Sequence, residues 1–139
     1  MTAASAVRWA FLIASAAGCS RDPGKCCDEF SATDENGIYC IAHKDAVVRY
    51  VSGGKTPEER KKRLEWFKGV VKELEPLTDS DQVHDRLSKY EKSHPEFWAE
   101  YDKQHFWAGR DTNLGLERRA QLMKCGFRHG IHVAEPDPR

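Results

Sequence analysis

The spacing of apolar residues changes three times along the chain. Residues 9–18 are apolar and then small, with nothing polar between Trp9 and Ala14. Residues 20–37 are polar and rich in turn chemistry, in "SRDPGK" and "SATDENG". "GIYCIA" and "AVVRYV" then flank "HKD", and both runs carry β-branched and aromatic residues. That pattern predicts a short β-hairpin over residues 38–51. A short helix over residues 44–51, closed by Gly53 and Gly54, is the competing expectation. From Thr56 onward apolar residues recur every three or four positions, the period of an amphipathic helix.

About four helices follow. Thr56, Pro57 and Glu59 form a helix start, with Thr as N-cap, Pro at the first helical position and Glu at the third. Leu64, Phe67, Val70, Val71 and Leu74 make its inner face, and Pro76 stops it. "TDSD" opens a second helix with Val83, Leu87 and Tyr90 inward. "SHPE" opens a third, with Ser93 as cap and Phe97, Trp98, Tyr101, His105 and Phe106 on the buried side; Gly109 breaks it. The fourth runs through "DTNLGLERRAQLMKCG", with Leu116, Ala120 and Met123 inward and Gly126 at its end. "FRHGIHV" reads as a strand, and residues 134–139 as a loose tail. The fold class expected is therefore mainly α, one small domain over residues 38–133. Trp66, Phe67, Trp98 and Tyr101 are expected inside it.

The first apolar run has a separate meaning. It is about ten residues long behind Arg8, whereas a bilayer-spanning helix needs roughly 20. A short apolar run behind a positive charge, drifting into small residues, has the anatomy of a secretory signal peptide, residues 1–18. "Ala16-Ala17-Gly18-Cys19" resembles the lipobox of bacterial lipoprotein precursors. The resemblance implies that Cys19 is acylated and becomes the first residue of the mature chain. Residues 19–37 are then a lipidated tether and loop, and Ser20 is permissive for the outer membrane. It implies a membrane partner through the lipid anchor and export to the cell envelope, facing the periplasm or the surface.

This changes the cysteine count. The chain has five: Cys19, Cys26, Cys27, Cys40 and Cys125. With Cys19 acylated, four remain, an even set suited to an oxidising compartment. A bridge between neighbours Cys26 and Cys27 needs a strained ring. Two pairings are left, Cys26–Cys40 with Cys27–Cys125, or Cys26–Cys125 with Cys27–Cys40. Either ties the N-terminal segment to the last helix through a loop of about 100 residues, which the chain-entropy account values at about 4–5 kcal/mol.

Charge excludes one class of function. Without residues 1–18 the chain keeps 21 basic and 22 acidic residues, and no basic face for nucleic acid is expected. "SGGKT" lacks the first glycine of a phosphate loop, since Arg49 occupies that place. Cys40 and His43 have metal-ligand spacing and could join Cys26 and Cys27 around zinc, but exported thiols go to disulfides. His94, Trp98, Tyr101 and His105 fall 4, 3 and 4 apart and form one helix stripe. Such a stripe serves a packed core or stacks a flat ligand such as haem, with a histidine or tyrosine as axial ligand. His129 and His132, between glycines, are not expected to be helical or to chelate. Glu58, Glu59, Glu65, Glu73 and Glu75 alternate with Lys and Arg, which reads as a solvated face. No catalytic residues are expected. The function expected is a non-catalytic, lipid-anchored interaction or structural module that binds an envelope or surface protein. The alternative is a small-ligand, metal or haem-binding lipoprotein that uses the stripe.

Overall fold

The computed structural model describes residues 34–109 and 113–135. Five helices account for most of them: α1 Glu35–Ser52, α2 Pro57–Leu74, α3 Ser80–Ser88, α4 Pro95–Gly109 and α5 Leu116–Ala134. No strand occurs among the described residues. The signal segment, Cys19, Cys26 and Cys27 lie outside them.

The expected hairpin is instead one continuous helix, α1. Asp34 caps it, its side chain accepting from the Asn36 N–H at 2.7 Å. The turn cluster "SATDENG" thus contains a helix start. Tyr39, Cys40, Ala42, His43, Ala46, Val47, Tyr50 and Val51 are buried, a spacing with helical rather than strand period. In the supposed turn, His43 faces inward while Lys44 and Asp45 pair with each other at 3.5 Å on the outside. Burial against neighbouring helices overrides the β preference of Val and Ile.

The start of α2 follows the sequence signature. Thr56 Oγ1 accepts from the Glu59 N–H at 3.0 Å. Glu59 reaches back one residue further than expected, to the Lys55 N–H at 2.9 Å. Leu64, Phe67, Val70, Val71 and Leu74 are all buried. Helix α3 carries a full capping box, between Asp79 and Gln82. Before α4 the expected Ser93 cap is absent. The Ser93 hydroxyl pairs with the ring of His94 at 3.0 Å, and the His94 carbonyl receives the first helical N–H groups, from Phe97 and Trp98.

Helix α5 runs past Gly126, where an end was expected, and takes in the "FRHGIHV" segment read as a strand. Its glycines explain the error. A Cβ on Gly126 would collide with the Cys40 carbonyl oxygen, and one on Gly130 would come within 2.7 Å of Val47 Cβ and 2.8 Å of the Lys44 carbonyl oxygen. Both glycines are therefore where the backbones of α5 and α1 approach most closely. Gly126 meets Cys40 and Gly130 meets Val47, so the two helices run parallel. Their N-terminal ends also meet: Arg118 Nε donates to Asn36 Oδ1 at 3.0 Å. Ala120 and Met123 are buried as expected, but Leu116 is 44% exposed.

Phe67, Phe97 and Phe127 form the centre of the core, with ring centres 5.1–5.2 Å apart along the chain of contacts from Phe97 through Phe67 to Phe127. Trp66 and Trp98 are only partly buried, unlike Phe67 and Tyr101.

Candidate functional site

Beside this apolar centre lies a polar aromatic cluster from three helices. Tyr39 and His43 are one turn apart on α1, Tyr101 and His105 one turn apart on α4, and His84 comes from α3. The ring of His43 sits 4.6 Å from Tyr39, 6.0 Å from Tyr101 and 5.8 Å from His105. His105 stacks on His84 at 5.0 Å and on Tyr101 at 5.2 Å. Phe127 of α5 closes the cluster edge-on to His43 at 5.4 Å.

The hydrogen bonds fix part of its chemistry. His43 Nδ1 lies 2.7 Å from the Tyr39 carbonyl oxygen. A carbonyl only accepts, so Nδ1 carries the proton and neutral His43 presents a bare lone pair at Nε2. His84 Nδ1 pairs with the Tyr101 hydroxyl at 2.9 Å. Three buried atoms of the cluster have no hydrogen-bond partner: Tyr39 Oη, His43 Nε2 and His105 Nδ1. Each such atom costs roughly 1–3 kcal/mol unless something satisfies it.

Burial dominates the electrostatics. It lowers the His43 pKa to about 3. The His105 pKa falls to about 4, first through burial and then through His84. Burial raises Tyr39 to about 12 and pushes Tyr101 up as well. At neutral pH His43 and His105 are therefore uncharged imidazoles, and Tyr39 and Tyr101 uncharged phenols. Farther out, Asp81 acts on Tyr39 and on His105, Asp102 on His105, and Arg119 on both.

The expected stripe is divided between two environments. Tyr101 and His105 enter the cluster. His94 instead stacks on Trp66 of α2, at 3.8 Å and 14°. Trp98 is half-buried between Tyr101 and His84. Sequence reasoning named Tyr101 and His105 but left out Tyr39 and His84. It considered His43 only beside Cys40. Reading residues 38–51 as a helix was the signal that would have aligned Tyr39 and His43 on one face.

Cys40 and Cys125 are both fully buried at the α1–α5 contact. Among the described residues no Sγ–Sγ pair stands at disulfide distance, and their expected partners, Cys26 and Cys27, lie outside. Also among the described residues, no three or more of His, Cys, Asp and Glu are grouped to hold a metal. His129 is helical and buried, whereas His132 is exposed.

A separate apolar groove of about 680 Å³ opens at the C-terminal ends of α1 and α5. Val51, Leu64 and Val133 line it, and Arg60, Lys61 and Glu65 stand at its rim. No family model, curated protein or solved structure matches the chain.

Proposed function

We propose that this protein is an exported lipoprotein, anchored to a bacterial membrane through Cys19, whose helical head is a non-catalytic module that binds an envelope protein. The observation that carries this reading is the polarity of the α1–α5 pair. Its N-terminal ends lie together, at the end of α1 nearer in sequence to Cys19. The apolar groove lies at the opposite ends, roughly 20–25 Å away along an 18-residue helix. A head hung by one end presents the groove away from the bilayer. Val133, 50% exposed in that groove, offers apolar surface to side chains of the partner.

In the same reading Cys26 and Cys27 bridge to Cys40 and Cys125, in either of the two pairings. The burial of both Cys40 and Cys125 at the α1–α5 contact supports this. The bridges would clamp the tether to the parallel helix pair. Ser20 is permissive for outer-membrane placement.

The test is fractionation of cells that make the wild type, Cys19→Ser and Val133→Glu. Wild type and Val133→Glu should sediment with membranes, while Cys19→Ser should be soluble or remain unprocessed. Val133→Glu should reproduce the phenotype of a deletion while remaining folded and anchored. Identical fractionation of Cys19→Ser and wild type would overturn the anchor. A wild-type phenotype for Val133→Glu would overturn the role of the groove.

A further inference from the structure

The polar aromatic cluster has no part in that function, and its three partnerless atoms call for a guest. We propose that Tyr39 Oη, His43 Nε2 and His105 Nδ1 form a binding site for one first-row transition-metal ion of the imidazole-preferring kind, Zn²⁺ or Cu²⁺. The set has two histidines and a tyrosine, so it is not among groupings of three His, Cys, Asp or Glu.

Three observations support it. First, His43 donates Nδ1–H to the Tyr39 carbonyl. Metal-binding histidines almost always hold their other ring nitrogen in this way, which fixes both tautomer and ring orientation. Second, His43 is fully buried and its remaining lone pair has no hydrogen-bond partner. Third, the rings are close enough. An ion about 2 Å from each nitrogen sits about 3 Å from each ring centre, so two ligating imidazoles have centres up to about 6 Å apart. His43 and His105 are 5.8 Å apart, with rings at 71°. Tyr39 is 4.6 Å from the first and 6.4 Å from the second.

Imidazole suits zinc and copper, and a phenolate oxygen completes the set. When the phenol binds as phenolate its proton leaves to solvent. His84, stacked on His105 and bonded to Tyr101, holds the His105 ring in place.

The experiment uses the mature chain, stripped with chelator and titrated with Zn²⁺ or Cu²⁺ at pH 7.5. Binding should be one ion per chain. His105→Asn alters a partly exposed side chain and should weaken binding at least 10-fold, the lower end of what even outer-shell changes cost. Tyr39→Phe keeps the ring and removes only the oxygen. It should abolish the visible phenolate-to-copper charge-transfer band while leaving the melting temperature of the stripped protein near wild type. His94→Asn, at the Trp66 stack, should change nothing. Absence of stoichiometric binding would overturn the proposal and leave a buried water as the guest. Binding unaffected by His105→Asn, or lost with His94→Asn, would place the ion elsewhere and overturn it equally.

Discussion

Gly126 of α5 lies directly against the backbone carbonyl of Cys40 on α1, with no room for a side chain between them. A helix interior normally prefers alanine over glycine by about 1 kcal/mol, so glycine here is kept by the approach of the two backbones. Gly126→Ala should therefore destabilise the protein by about 2–3 kcal/mol, as overpacking does. Gly69 on α2 is the control, because a Cβ there meets nothing within 4 Å. Gly69→Ala should stabilise by about 0.5–1 kcal/mol. Urea denaturation of both variants reads the opposite signs. Equal effects would mean that α1 and α5 do not pack this closely.

Acid should loosen the fold through His43 and His105. Their folded pKa values, about 3 and about 4, lie below the ordinary 6.5. The unfolded chain therefore takes up protons first as pH falls. Their contribution is intact above pH 6.5 and is lost as pH drops toward 4 and then 3. The slope is about 1.4 kcal/mol per pH unit for fully buried His43 and less for partly exposed His105. Denaturant midpoints of chelator-treated protein from pH 7 to pH 4.5 should fall accordingly. His43→Gln, which cannot titrate, should flatten the curve. An unchanged slope would mean that His43 is not buried.

Trp98 and Phe97 are neighbours in sequence with different surroundings. Phe97 is fully buried against Phe67, Tyr50 and Tyr101. Phe97→Ala should cost about 3–5 kcal/mol. Trp98 is only partly buried, and Trp98→Ala should cost about half of that or less. Thermal melts of the two variants rank them directly, and the reverse order would rotate α4 about its axis.

The α3 cap gives a smaller effect. Asp79 accepts the Gln82 N–H at 2.9 Å while Gln82 returns a bond to the Asp79 N–H at 3.3 Å. Asp79→Ala should lower stability by about 1 kcal/mol. A denaturation midpoint equal to wild type would mean that the cap is not formed in solution.

The helical class was legible where caps and apolar period agreed. Thr56 to Leu74 is such a case: Thr56 caps, Pro57 leads, and five apolar residues repeat at helical spacing. It was not legible where composition pointed one way and packing the other. Ile38, Val47 and Val48 have strand preference, yet they lie in a helix whose face through Val47 is buried against α5. Gly126 and Gly130 look like helix breakers, and only the position of α1 shows that they are contact residues. The site was half legible for a related reason. Tyr101 and His105 lie on a helix with clear period, whereas His43 was hidden in "HKD", which reads as a turn. The division of the stripe at Trp98 depends on Trp66, thirty-two residues earlier, which takes up His94.

The account's central claim is that this is a stapled helical head on a lipid anchor. The most direct test is the intact mass of protein extracted from the membrane fraction of its own cells without reductant, followed by thiol labelling and a non-reduced digest. The account predicts a chain that begins at Cys19 and carries the mass of attached acyl groups. It also predicts no labelled thiol, and one peptide containing Cys26 and Cys27 linked to the peptides of both Cys40 and Cys125. A chain that retains residues 1–18, with Cys19, Cys26, Cys27, Cys40 and Cys125 all labelled, would contradict it.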